Sequence, residues 1–300
     1  MTDSFSSQPL LFDRSSVRRH RDRAANGDWP THGFLFEEVA DRLAERSLDI
    51  TRTHDLVLDL GCHGGAFGQA MEAMGKAQTV VSVDISTGMV EKTPNNLKIV
   101  ASEEFLPFAS ESFDLIGSVL SLHWTNDLPG ALIQINRALK ADGIFLGALF
   151  GIETLQELKE CLTQAELEIR SGLSPRVSPF TEVRDAGALL QRAGFALPVS
   201  DVETITLKYK TPFDLLKELR GMGEANALLD RQKSFTGRKV LMRMAELYFE
   251  KYADEEGLIP ATFQIIYLTG WSPHESQQVP LKRGSATTSL TDILDQKKPE

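Results

Sequence analysis

Disulfide chemistry has almost no material in this chain: 300 residues carry two cysteines, Cys62 and Cys161. Two lone thiols make neither a disulfide framework nor a zinc-ligand spacing, and a reducing compartment is expected. Long hydrophobic runs are missing too, since no apolar stretch approaches the roughly 18 residues of a membrane-spanning helix. Positive charge is in deficit, with 32 Lys and Arg against 42 Asp and Glu and a net charge of −10. That balance argues against a nucleic-acid partner, because non-specific binding needs basic surface. The first thirty residues hold Arg14, Arg18, Arg19, Arg21 and Arg23, but Asp3, Asp13, Asp22 and Asp28 break the acid-poor pattern of a transit peptide. No apolar secretion segment is present, so a cytoplasmic (bacterial) or mitochondrial-matrix-like protein is expected. What remains is 42% hydrophobic and 25% charged, ordinary for a globular chain.

Residues 1 to 10 are small, polar and unpatterned, and disorder is expected there. Helical spacing of apolar residues runs from Phe36 to Leu48. Short apolar runs at Leu56–Leu60, Thr79–Ile85, Leu97–Ala101, Phe113–Leu120 and Gly143–Phe150 read as strands, with helices at Ala66–Met74 and Leu128–Leu139 between them. Such alternation predicts an α/β fold with a parallel sheet covered on both faces. Beyond Phe150, helices are expected around Leu155–Ile169, Val183–Ala193, 213–220 and 238–253, and strands at Val202–Tyr209 and Thr262–Thr269. The sheet is therefore expected to finish after a helical cap insertion, residues 210 to 261. The tail from Gln277 has no pattern.

The first strand ends in "VLDLGCHGGAFG", residues 57 to 68. Open α/β sheets bind ligands beyond the carboxyl ends of their strands. Asp59, Gly61, Gly64, Gly65 and Gly68 stand there; glycine permits positive φ and close backbone approach, and helix N-terminal N–H groups face the ligand. The dinucleotide fingerprint G-x-G-x-x-G is absent. Asp84 follows 25 residues after Asp59, at the end of the second strand in "VVSVDIS", and a carboxylate there suits paired hydroxyl donors.

The loop D-x-G-x-H-G-G resembles the D-x-G-x-G-x-G loop of class I S-adenosylmethionine (SAM)-dependent methyltransferases. That resemblance implies a Rossmann-like sheet with SAM as cofactor, with Asp59, Gly61 and Gly65 in the loop, Asp84 on the ribose, Ile85 against adenine and Glu103 replacing the acid that bonds the adenine amino group. Ser102 stands where many relatives have that acid, and His63 stands where they have a glycine. A positive φ at His63 would cost on the order of 1 kcal/mol; the expectation is that Gly64 absorbs the bend. The implied organisation is an N-terminal basic segment and cap helix (1–50), a SAM-binding core (51–150), helices, insertion and final strands completing the sheet (151–276), and a tail (277–300).

Further segments follow in order: "FDRSSVRRHRDRAA", "EEFLPFASESFDLI", "SLHWTNDLPGALIQINRALKADG", "SPFTEV", "LLQRAGF", "GMGEANAL", "PATFQIIYLTGW" and "HESQQVPLKRGSATTSL". Together they resemble the methyltransferase-superfamily assembly factors of respiratory complex I, a family of protein-arginine hydroxylases. The resemblance runs from Phe12 to about Leu290 and implies a partner, the quinone-proximal subunit of complex I, hydroxylated on an arginine early in assembly. Residues 56 to 150 alone would equally suit a conventional SAM-dependent methyltransferase acting on a small molecule or carrier protein. A non-catalytic assembly chaperone is the third reading.

For the chemistry, "SLHWTND" supplies His123 as acid, base or ligand, Trp124 as a face for a guanidinium and Asp127 as its charge partner. Asp127 also has the position of a helix N-cap. "GWSPHES" offers Trp271, His274 and Glu275 to close the pocket from the other side. A hydroxylase invites non-haem iron on two histidines and a carboxylate; His123, His274 and Asp127 or Glu275 are the available donors, but no His-x-Asp signature is present and no metal is assigned. The basic run Arg18–Arg23 is read as a solvated helix face, with folding over the ligand or a peripheral membrane contact through anionic lipid as alternatives. Gly221 and Gly223 bracket Met222 as a helix-end turn or a hinge.

Overall fold

Strands buried on both faces must be nearly continuous in apolar residues, and the runs ending at Leu60, Asp84 and Val119 are. In a computed structural model, which describes residues 10–278 except 171 and 181, together with residue 285, seven strands form one sheet: His54–Leu60 (β1), Ala77–Asp84 (β2), Leu97–Val100 (β3), Phe113–Val119 (β4), Leu139–Phe150 (β5), Ala196–Tyr209 (β6) and Ile259–Trp271 (β7). Their order is β3-β2-β1-β4-β5-β7-β6. The first five are parallel. The five strands of the alternating region are thus parallel as expected, while β7 runs antiparallel to both β5 and β6. The expected disorder of residues 1 to 10 and the expected patternless tail from Gln277 fall almost wholly outside the described residues.

Ten α-helices accompany the sheet among the described residues: Arg14–Ala25 (α1), Trp29–His32 (α2), Phe34–Glu45 (α3), Ala66–Ala73 (α4), Thr87–Lys92 (α5), Leu128–Ala138 (α6), Gln156–Arg170 (α7), Val183–Arg192 (α8), Pro212–Gly221 (α9) and Arg238–Tyr252 (α10). One core packs Leu43, Met71, Leu158, Leu215 and Met244 against Val57, Leu115 and Leu146 of the sheet. On the opposite face, Leu132, Ile135, Ala186 and Leu190 pack against Leu58, Ile116 and Phe145. These strand residues are fully buried, each large side chain contributing about 1.5–3 kcal/mol by leaving water.

α1 decides the shape of the ligand side. Asp13 caps it by accepting from Ser16 N, and the strand-like contact Phe12–Leu228 and the bond from Asp13 N–H to Ala227 O (2.8 Å) pin its start to the segment after α9. Its buried face, Val17, Arg21, Ala24 and Ala25, follows i, i+4, i+7, i+8 spacing. One of those four positions is an arginine.

Candidate ligand site

The glycine loop turns where the sequence places it. Gly61 has φ +67° and Gly65, the residue before α4, has φ +82°. A Cβ on Gly61 would lie 1.9 Å from Ser121 Oγ. His63 takes the left-handed conformation itself, φ +46°. Gly64 does not relieve it, contrary to expectation; that residue is small because a Cβ there would stand 2.5 Å from Trp29 Nε1. The His63 ring is turned away into the N-terminal helices, 4.3 Å from the Phe36 ring and stacked on Trp29 at 6.0 Å and 8°. Burial and the Arg21 charge push its pKa down to about 3, so the ring is a neutral aromatic buttress. Its backbone N–H still faces the site and donates to Asp84 Oδ2 (3.2 Å). Asp59 is likewise inward and structural: Oδ2 accepts from Gly68 N–H at 3.1 Å, and burial raises its pKa to about 8.

At the carboxyl ends of the strands, Arg21 meets the two acids singled out from sequence. Its Nη1 donates to Asp84 Oδ2 (3.0 Å) and Glu103 Oε1 (2.8 Å), and its Nη2 to Ser121 Oγ (2.9 Å). Ser121 donates in turn to Glu103 Oε1 (2.5 Å), while Arg14 binds the other oxygen of Glu103. Ser86 N–H completes Asp84 by donating to Oδ1 (2.8 Å). All of Arg21, Asp84, Glu103 and Ser121 are fully buried. Burial would raise the Glu103 pKa, but Arg21 and Arg14 outweigh it and hold the carboxyl far below its usual range. At Asp84 burial wins over Arg21 and the pKa is raised. The basic run is thus not merely a solvated face: Arg21 folds over the acids, while Arg18 and Arg19 remain exposed. Ile85 is half-buried beside Asp84.

The other candidates divide. His123 and Trp124 lie in a 3₁₀ turn, Leu122–Trp124, after β4. Their ring N–H positions converge on Glu224 Oε2, at 3.2 Å from His123 Nε2 and 2.9 Å from Trp124 Nε1. Trp124 is only 3% exposed, its ring packed edge-on against Phe12 at 5.2 Å, so it is a buried strut rather than an open stacking plate. Asp127 is exposed and caps α6, accepting from Gly130 N–H at 2.8 Å; its carboxylate serves the helix, not the cluster. Trp271 and His274 are displaced for a topological reason. Because β7 is antiparallel, Trp271 pairs with Ile144, itself level with Leu115 near the start of β4, at the end of the strands opposite to Asp84 and His123. His274, three residues on, is exposed and bonds Ser276. They cannot close the same pocket, and no iron set can combine His123 with His274. Among the described residues no three His, Cys, Asp or Glu side chains form a metal-holding group.

Glu224 is the functional candidate that the sequence did not single out; it lies in the "GMGEANAL" turn. Gly223 before it has φ +81°, and a Cβ there would meet Arg21 Cα at 3.4 Å. That close approach lays the turn against α1 and aims Glu224 inward. Burial would raise the Glu224 pKa, yet the His123 hydrogen bond and the charges of His123 and Arg21 bring it below the usual value. Beside it opens a cavity of ≈ 250 Å³ whose walls include Trp124, Phe150, Leu158, Phe180 and Phe263.

Comparison with known proteins agrees with this architecture. The family model "Methyltransferase domain" matches residues 58–147. The chain is 44% identical to human "Arginine-hydroxylase NDUFAF5, mitochondrial" over 287 residues, 94% of this chain and 83% of the relative. It is 42% identical to the zebrafish (Danio rerio) protein of the same name over 301 residues, 97% and 92% of the two chains. A "Malonyl-[acyl-carrier protein] O-methyltransferase" of a Methylovorus species is 34% identical over 284 residues, 90% and 93% of the chains. Among solved structures, the YcgJ protein of Bacillus subtilis superposes with a TM-score of 0.54 at 19% identity, covering 79% of this chain and 99% of the other, a likeness of fold. A β3-β2-β1-β4-β5-β7-β6 sheet with an acid closing β2, together with 42–44% identity to the NDUFAF5 proteins over nearly the whole chain, places the chain in the NDUFAF5 family of methyltransferase-superfamily arginine hydroxylases and complex I assembly factors.

Proposed function

We propose that this protein binds SAM at the ends of β1 and β2 and acts in respiratory complex I assembly by hydroxylating an arginine of the quinone-proximal subunit, in a bacterial cytoplasm or a matrix-like compartment. The observation that carries this reading is the level of identity with the arginine hydroxylases, 44% over 94% of this chain, against 34% over 90% for the malonyl-carrier-protein methyltransferase. Among the described residues no helix is long and apolar enough to cross a membrane.

Asp84 and Glu103 fit the nucleoside of SAM. Both accept N–H donors from Arg21, the same polarity that a ribose diol and an adenine amino group would present to them. Loop backbone at Gly61 and His63 N–H, half-buried Ile85 and the α4 N-terminus after Gly65 supply the remaining surfaces. Bound SAM supplies an electrophilic methyl group in this superfamily. The Arg21 side chain would release or share Asp84 when the nucleoside enters. Asp59 holds the loop through Gly68.

A conventional methyltransferase is the second reading, favoured by the 34% identity with the malonyl-carrier-protein enzyme. The two reactions differ in the mark left on the substrate, an oxygen on arginine, which needs a two-electron oxidant from the cell extract besides SAM, or a methylene on an acid, which SAM alone supplies. Purified protein with SAM, incubated in a cell extract with either the complex I subunit or a malonyl thioester of the carrier protein, separates them. An arginine gaining one oxygen supports the hydroxylase; an esterified malonyl group supports the alternative; neither mark favours a chaperone without catalysis.

A further inference from the structure

The cavity beside the 3₁₀ turn is mostly hydrocarbon, and one end of it is not. Phe150, Phe180, Phe263, Leu158 and Leu162 line it. Of the described lining residues, Glu224 is the acidic one. Its Oε2 is taken by His123 and Trp124, whereas Oε1 is buried and has no hydrogen-bond partner among the described residues. A buried acceptor without a donor is costly, and a carboxylate oxygen has two lone-pair sites to fill. The site therefore has a deep, fixed, negatively charged end that a donor-rich group would complete.

We propose that this cavity receives a single arginine side chain and that Glu224 is the residue that selects its guanidinium, an inference that rests on the arginine-modifying function above. At ≈ 250 Å³ the cavity is smaller than the roughly 300–1,000 Å³ of sites for drug-sized ligands and suits one long side chain. The apolar walls match a methylene stem, which buries readily when its charged head finds a partner. The planar guanidinium directs several N–H donors and is less strongly hydrated than an ammonium, so it gives up water to Oε1 more easily than lysine would. Position agrees with chemistry. Glu224 follows Gly223, where an added Cβ would stand 3.4 Å from Arg21 Cα, and Arg21 covers Asp84 and Glu103; the held side chain would lie next to the ligand loop, at the same end of the sheet. Two arginines also border the cavity, Arg176, which is paired with Glu166, and exposed Arg220; Arg220, unpaired among the described residues, gives the competing occupant, a small carboxylate drawn to the rim.

The test is calorimetric titration of the full chain, with SAM present, using Nα-acetylarginine amide, its uncharged isostere Nα-acetylcitrulline amide, and malonate. Arginine is expected to bind about ten-fold or more tightly than citrulline, as loss of a charge-assisted hydrogen bond dictates. Glu224→Gln, which keeps an oxygen for His123 and Trp124, should weaken arginine by about the same factor and leave SAM affinity unchanged. Leu158→Trp, which fills the apolar wall away from Glu224, should block arginine as well. Equal binding of arginine and citrulline, wild-type arginine affinity in Glu224→Gln, or preferential binding of malonate would overturn the assignment. Its failure is separable from failure of the proposed reaction. A Glu224→Gln protein that still hydroxylates the subunit arginine at the wild-type rate sinks the pocket alone; a wild-type protein that binds arginine and leaves the subunit unmodified sinks the reaction alone.

Discussion

Arg21 Nη1 lies 3.0 Å from Asp84 Oδ2, both side chains fully buried. A helix from the N-terminal segment thereby pairs with the acid at the end of β2 that the proposed SAM site gives to the ribose. Arg21→Ala would leave Asp84 and Glu103 buried with less compensation, a loss of about 3–5 kcal/mol for a broken buried pair. If Arg21 competes with SAM, the same variant should bind SAM more tightly despite its lower melting temperature. Weaker SAM binding in a folded Arg21→Ala protein would mean that the guanidinium belongs to the bound state.

Removing the acid has the opposite expected effect. Asp84→Ala deletes two charge-assisted hydrogen bonds to the ribose, each about 1.5–3 kcal/mol. Calorimetry should show SAM affinity falling by at least ten-fold, about 1.4 kcal/mol. Wild-type affinity in this variant would remove Asp84 from the ligand site.

Two glycines of the same φ, +67°, provide a matched pair. A Cβ at Gly61 meets Ser121 Oγ at 1.9 Å, and one at Gly75 meets nothing within 4 Å. Both Gly→Ala changes carry the left-handed strain of about 1–2 kcal/mol, but only Gly61→Ala also displaces Ser121 from Glu103. Thermal melts should therefore place Gly61→Ala well below Gly75→Ala, with SAM binding lost in the first alone. Equal melting temperatures and equal SAM binding would show that the loop tolerates the displacement.

His63 makes stability depend on pH. Between 6.5 and about 3 the unfolded chain binds a proton at this ring that the folded chain refuses, so acidification favours unfolding. Stability from this residue is fully present above 6.5 and is lost progressively as pH falls through that window. His63→Asn tolerates the left-handed backbone but gives up the packing on Trp29 and Phe36. Denaturant melts should find it less stable than wild type at pH 7, with a shallower loss between pH 7 and pH 4. An unchanged acid slope would show that His63 is protonated in the fold.

The parts of the site legible in the sequence are those written locally. Gly61, Gly65 and Asp84 follow strands whose apolar runs mark their ends, and Asp127 sits one residue before a helix that it caps. Arg21 was also legible in principle: it shares a helical face with Val17, Ala24 and Ala25, a spacing that sets it apart from Arg18 and Arg19, although charge alone suggests solvent. Trp271 and His274 fall elsewhere than expected because an apolar run does not reveal its direction, and reversing β7 sends its C-terminus to the amino-terminal end of the parallel strands. Glu224 had no local signal at all. Its partners His123 and Trp124 are 101 and 100 residues away in the chain, and only the packing of the α9 turn against α1 brings them together.

The most direct measurement is mass spectrometry of the quinone-proximal complex I subunit from cells that lack this protein, complemented with wild type or with Asp84→Ala. One arginine should carry an added oxygen with wild type and lack it in the null cells and with Asp84→Ala. A subunit with identical arginine masses in all three, or one that differs by a methylene instead of an oxygen, would contradict the assignment of arginine hydroxylation to this site.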